Sequence, residues 1–157
     1  LENEKILTVG TGNGYEAAWF ILKGNDVTLL DLYSPDVPIL KGKQVTGYAQ
    51  DLPFKDKEFG LYFCCEMLEH VPEEFGEAIV REAKRVAKKV FFTIATEDDP
   101  PYCTHINIHQ LDYWYEMFNR VGFDFINIQY APSVPLVSKG GVTVAEWGDG
   151  VLIYARC

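Results

Sequence analysis

Lys5-Ile-Leu-Thr-Val-Gly-Thr-Gly-Asn-Gly14, followed by Tyr15-Glu-Ala-Ala-Trp-Phe-Ile-Leu22, decides how the rest of the chain is read. Ile6–Val9 is a short apolar run and predicts a strand, while glycine at 10, 12 and 14 predicts a tight turn. Gly14 to about Lys23 predicts a helix whose Ala17, Ala18, Phe20, Ile21 and Leu22 make a broad apolar face, with Gly24 as its stop. Glycine lets backbone come close to a ligand, and the first turn of the next helix offers unpaired N–H groups. A strand, a glycine turn and a helix in that order read as a cradle for a nucleotide-type ligand.

Beyond this unit the pattern alternates. Strands are expected at Asp26–Leu32, Val45–Ala49, Leu61–Cys65, Val90–Thr96, Phe123–Tyr130 and Val151–Ala155, and helices at Glu73–Lys89 and Leu111–Val121. The connection carrying Pro35 and Pro38 is tight for a full crossover helix, so a loop or a single turn is expected there. Helix 73–89 opens on Pro72 with Glu73, Glu74 and Glu77 and closes on Lys84, Arg85, Lys88 and Lys89, the charge order the helix dipole favours. The long segment Ala131–Gly150 separates the last two strands, which reads as a closing hairpin. Alternation through the middle predicts an α/β fold: a doubly wound, mostly parallel sheet with helices on both faces.

Composition narrows the class. The chain has 157 residues, a length that suits a single domain, residues 1–157, with a packed core. Hydrophobic residues make up 48%, which excludes a disordered tail as the dominant state. A formal net charge of −9 argues against nucleic acid as a partner. Cys64, Cys65, Cys103 and Cys157 include no Cys-x-x-Cys pair and are expected to be free thiols, as in a reducing compartment. With no run long enough to span a membrane and no signal peptide, a cytoplasmic protein is expected. The chain starts without Met and almost on its first strand, so an upstream lid segment is expected to be missing.

The spacing of the turn is Gly-x-Gly-x-Gly, because position 15 is tyrosine; the dinucleotide fingerprint has its third small residue one step later. Asp31 falls at the end of the second strand, placed to accept hydrogen bonds from ribose hydroxyls, or else to serve as a turn acid. Gln50-Asp-Leu-Pro-Phe54 follows the third strand, where an Asp51 carboxylate and a free N–H could read an adenine edge; an ordinary Asp-x-Pro turn is the alternative.

These stretches, with Phe63-Cys-Cys-Glu-Met-Leu-Glu-His-Val-Pro72, stand in an order and spacing that resemble the class I S-adenosylmethionine-dependent methyltransferases, the small-molecule branch in particular. The resemblance covers nearly the whole chain. It implies a Rossmann-like seven-stranded sheet of order 3-2-1-4-5-7-6 with strand 7 antiparallel. It also implies S-adenosyl-L-methionine as cofactor, held by Gly10, Thr11, Gly12, Gly14, Asp31, Leu32, Asp51, Leu52, Cys65 and Glu66.

Glu66, Glu69 and His70 form a Glu-x-x-Glu-His element similar to that of ubiquinone-pathway O-methyltransferases and small-RNA 2′-O-methyltransferases. That likeness implies a divalent metal on Glu66, Glu69, His70 and His105, or a metal-free proton acceptor at His70; a structural histidine is the third reading. A small-molecule acceptor, methylated on oxygen, is the leading expectation. Thr8 stands where the family often has an acid and Gly60 where an aspartate is common. Both motivate the alternative of a degenerate domain that binds cofactor or a partner without catalysis. A nicotinamide-dependent protein is the third reading.

Overall fold

The computed structural model describes residues 2–33, 43–96, 104–130 and 150–156. Its strands are β1 (Lys5–Val9), β2 (Asp26–Asp31), β3 (Gln44–Thr46), β4 (Phe59–Cys65), β5 (Ala87–Ala95), β6 (Phe125–Tyr130) and β7 (Gly150–Arg156). The helices are α1 (Tyr15–Leu22), α2 (Glu73–Val86) and α3 (Leu111–Val121). All strands join one sheet in the spatial order β3-β2-β1-β4-β5-β7-β6. β1 to β5 pair in parallel, and β7 runs antiparallel to both of its neighbours. The mostly parallel α/β sheet expected from the alternation is present.

Side-chain period explains why both faces are covered. Along β4, Leu61 and Phe63 point to one side and Tyr62 and Cys64 to the other. The first pair packs with Ile6, Val27, Leu29 and the α1 residues Ala17 and Phe20. The second joins the larger cluster, where α2 contributes Ile79, Val80, Ala83 and Val86 and α3 contributes Trp114, Met117 and Phe118. Strands buried on both faces read as continuous apolar runs, as β4 and β5 do.

Several boundaries differ from the expectation. α2 ends at Val86, not Lys89, and β5 begins at Ala87, three residues before Val90. Ala87 is extended (φ −127°, ψ 160°), buried, and in register with Phe59. No glycine stop is needed, because Lys57 Nζ donates to the carbonyls of Lys84 (2.7 Å) and Ala87 (3.0 Å). β3 is shorter than expected: Gly47 N–H turns to the Asp31 carbonyl at 3.1 Å, and Gly47–Ala49 leave the sheet to line a cavity. β6 starts at Phe125, since Gly122 (φ 83°) ends α3 and Phe123 packs on Phe118. A 3-10 turn at Leu68–His70 had no counterpart in the sequence reading.

Cys64 and Cys65 are free thiols. The connection containing Pro35 and Pro38, Cys103, Cys157 and residues 131–149 lie outside the described residues. Among those described, no helix is long and apolar enough to cross a membrane.

Candidate active site

The carboxyl ends of β1, β2 and β4 converge on a cavity of about 390 Å³. Doubly wound sheets bind ligands at this edge, and the volume is within the range of small-molecule sites. Val9, Gly10, Leu30, Asp31, Leu32 and Tyr33 form one side; Gly47 to Gln50 close a second. Met67, His70, Val71, Pro72, Phe75 and Ile79 make the third. The walls are largely apolar, and Asp31 and His70 are the titratable carboxylate and imidazole among them.

The glycine turn is held from both sides. Gly10 (φ 69°) donates to the Leu30 carbonyl at 3.0 Å, and a Cβ at this position would lie 2.5 Å from Met67 Cγ. No side chain fits between them. Gly12 N–H donates to Asp31 Oδ2 at 2.9 Å, and Tyr33 N–H to Asp31 Oδ1 at 3.1 Å. Asp31 thereby ties the turn after β1 to the end of β2. The Thr11 hydroxyl is buried and donates to the Leu30 carbonyl at 3.2 Å, and Gly14 caps α1 in the left-handed region (φ 73°). Gly10, Asp31 and Leu32 line the cavity; Thr11, Gly12 and Gly14 do not.

Thr8 points away, buried, with its hydroxyl donating to the Thr28 carbonyl at 3.4 Å. At Gly60 a Cβ would meet the Glu4 carboxylate, the movable end of a partly exposed side chain that pairs with Lys89 at 3.4 Å.

Along Gln50–Phe54 the structure shifts the expected contacts by one residue. Ala49 and Gln50 reach the cavity wall, whereas Asp51 is exposed and Leu52 is buried in the core. The loop is clamped by Arg85, whose guanidinium donates to the carbonyls of Leu52 (3.0 Å) and Phe54 (2.7 Å) and to Glu82. Glu82 in turn accepts from Leu52 N–H at 2.8 Å. Arg85 read in the sequence as a basic helix end; only the fold gives it this task.

Cys65 ends β4 and Glu66 follows it, and neither lines the cavity. Burial pushes the Cys65 thiol up to about 12, against the lowering effect of the hydrogen bond from Thr93 Oγ1 at 3.1 Å, so it stays protonated. Glu66 adopts φ 48°, with its N–H held by Thr93, and this left-handed step swings Met67 toward Gly10.

Glu69, His70 and His105 come together, each offering a ligand atom within 4.8 Å of the others. Glu66 is not part of that group. Both Glu69 carboxylate oxygens are buried and make no hydrogen bond of good geometry among the described residues, though the Glu66 carboxyl and the Ala95 backbone lie near them. Burial first, and the nearby Glu66 carboxylate second, push its pKa up to about 8. His70 Nδ1 lies 3.0 Å from the Thr104 carbonyl and the two histidine rings stand edge to face at 4.8 Å. A carbonyl only accepts, so Nδ1 carries the proton and neutral His70 keeps its lone pair on Nε2. His109 is elsewhere, stacked on Tyr113 at 3.6 Å.

The profile of a family described as a methyltransferase domain matches residues 7–90, more than half of the chain. The chain belongs to the class I S-adenosylmethionine-dependent methyltransferase family. This membership supersedes the nicotinamide reading. Ubiquinone biosynthesis O-methyltransferase of Pseudomonas putida is 27% identical over 141 residues, covering 80% of this chain and 58% of that one. Its namesake from Pseudomonas syringae pv. tomato is 27% identical over 118 residues, covering 65% and 49%. The chain thus spans between about half and 58% of these relatives' lengths.

Among solved structures, a methyltransferase of this cofactor class from Archaeoglobus fulgidus superposes with a TM-score of 0.75 at 13% identity, covering 99% of this chain and 86% of its own. The 1,6-didemethyltoxoflavin-N1-methyltransferase of Burkholderia thailandensis, solved with 1,6-didemethyltoxoflavin and S-adenosylhomocysteine, gives 0.71 at 22% identity, covering 99% and 71%. At such identities the likeness is one of fold.

Proposed function

We propose that this domain transfers a methyl group from S-adenosylmethionine to an oxygen of a small-molecule acceptor, with His70 taking the acceptor's proton. The observation that carries the reading is the shared cavity. Gly10 and Asp31, at the carboxyl edge where a nucleoside binds, and His70, with an Nε2 lone pair, line the same walls. When bound, S-adenosylmethionine supplies an electrophilic methyl group on a sulfonium, so the protein has to align the acceptor and receive a proton.

The residues fit that ligand. Gly10 lines the wall with Met67 packed across it, Asp31 keeps lone pairs beyond the two amides it accepts, and Leu32 and Tyr33 offer apolar surface to a base. Gln50 lines the cavity wall and the exposed Asp51 stands next to it, so either side chain is within the stretch that would meet the adenine edge.

A divalent ion fits Glu69, His70 and His105 by donor set: one carboxylate with orphaned buried oxygens and two imidazoles. Held there, an ion would lower the pKa of an acceptor hydroxyl. The relatives named for ubiquinone biosynthesis favour oxygen as the acceptor atom, and the net charge of −9 disfavours an RNA substrate.

A second reading, cofactor binding without catalysis, draws on Thr8, which turns away from the cavity and leaves that position without an acid. Methyl transfer from labelled S-adenosylmethionine to a panel of phenolic and aliphatic hydroxyl compounds separates the two. Turnover that disappears in His70→Asn supports the proposal; S-adenosylhomocysteine binding with no turnover on any acceptor supports the second reading.

A further inference from the structure

The segment after β5 is fastened to the turn that carries His70. Ile106 and Asn107 N–H both donate to the Glu69 carbonyl, at 2.8 and 3.0 Å, and His70 Nδ1–H donates to Thr104. These bonds use backbone acceptors and are open to almost any residue at 106 or 107. One bond is not: Asn107 Nδ2 donates to the Leu68 carbonyl at 3.1 Å. That carbonyl also accepts Val71 N–H at 3.2 Å, the bond that closes the 3-10 turn.

Asn107 is 1% exposed and sits where Gly76 of α2 leaves space; a Cβ on Gly76 would lie 3.8 Å from Asn107 Nδ2 and 3.3 Å from Met117 Cε of α3. A buried amide is costly unless it is hydrogen-bonded; here Nδ2 is used, while Oδ1 is buried with no partner among the described residues. Asn107 does not line the cavity, and its side chain joins the segment that follows His105 to the turn that carries His70.

We propose that Asn107 is the positioning residue that locks the Leu68–His70 turn against residues 104–107, and so fixes the His70 ring as its Nδ1–H form beside His105. The proposal rests on His70 acting as proton acceptor, because only the Nδ1–H form offers Nε2 as a base or ligand. Partners that orient a working histidine this way are typically worth about 10- to 100-fold in activity or metal affinity.

Long-range ¹H–¹⁵N correlation spectra of the histidine rings, in chelator and at a pH where they are neutral, test it. In the wild type His70 is expected in the Nδ1–H form, the minor form of free imidazole. In Asn107→Leu, of the same branched shape and without the donor, the ring is expected to revert mainly to Nε2–H. The turnover number is expected to fall about tenfold or more while S-adenosylhomocysteine affinity is kept. Asn107→Ser, whose hydroxyl is too short to reach Leu68, is the second variant and is expected to show the same change.

A wild-type His70 in the Nε2–H form overturns the proposal whether or not any variant folds. So does a folded Asn107→Leu or Asn107→Ser that keeps the Nδ1–H form. A tautomer change in a protein that methylates no acceptor supports the positioning role and counts against methyl transfer instead.

Discussion

Met67 lies across Gly10: a Cβ on the glycine would sit 2.5 Å from Met67 Cγ and 2.8 Å from Met67 Cβ. The two residues are far apart in sequence and meet because β1 and β4 are adjacent parallel strands, in register from Ile6↔Leu61 to Val9↔Cys64. Gly10→Ala therefore faces two penalties. Its φ of 69° costs a residue with a Cβ roughly 1–2 kcal/mol, and Met67 must also move. Thermal unfolding of Gly10→Ala is expected to show a clear loss. Adding Met67→Ala should relieve the contact with Cγ but neither the one with the Cβ that alanine keeps nor the backbone strain, so the double variant should be somewhat less destabilised than the sum of the singles.

Asp31 accepts from the Gly12 and Tyr33 amides while facing the cavity. Hydrogen bonds to a charged group are worth about 1.5–3 kcal/mol when buried, and less here because the site is open to solvent. Asp31→Ala is expected to weaken S-adenosylhomocysteine about tenfold or more, measured by titration calorimetry, with only a modest change in melting temperature. A large melting change with unaltered affinity would assign Asp31 to the turn alone.

Glu69 sets a pH dependence whose sign is fixed. Its carboxyl is raised to about 8 in the folded protein, above the 4.5 of a free side chain. The folded state binds that proton more tightly than the unfolded state, so the contribution is complete below about 4.5 and is lost as pH rises through about 8. In chelator, stability should fall across that window, and Glu69→Gln should flatten the fall. Parallel curves for the two proteins would rule out a raised carboxyl.

Much of this was legible in the sequence, and the misses have physical causes. Gly10, Asp31 and His70 announced themselves because a glycine turn, a strand-end acid and a post-strand histidine each have a narrow set of uses. That Ala49 and Gln50 line the cavity, with Asp51 exposed and Leu52 buried, was not legible, because the exposure of a loop residue depends on what clamps it. The clamp is Arg85, more than 30 residues on, reading the Leu52 and Phe54 carbonyls. The end of α2 was misread for a related reason: Lys88 and Lys89 look like a basic helix end until Lys57, from a distant turn, caps the last carbonyls and frees Ala87 for β5. Asn107 was invisible as a single buried amide, since nothing in its neighbours hints at Leu68.

Arg85→Ala should expose that dependence. Removing the guanidinium leaves the Leu52 and Phe54 carbonyls and Glu82 without their donor, at an expected cost of about 2 kcal/mol after allowing for partial exposure. Chemical denaturation measures the loss, and amide exchange at Leu52 to Phe54 should quicken before that of the α2 interior.

If Glu69, His70 and His105 hold an ion, manganese or cobalt should raise the melting temperature of the wild type by linkage. His105→Ala should abolish the shift while keeping S-adenosylhomocysteine binding. Equal shifts in both proteins would place the ion elsewhere.

The central claim, that the cavity between Gly10, Asp31 and His70 is built for S-adenosylmethionine, is tested most directly by isothermal titration of the intact chain with S-adenosylhomocysteine. The account predicts saturable binding of one ligand per chain, weakened by Asp31→Ala. No binding at millimolar ligand by folded protein would contradict it.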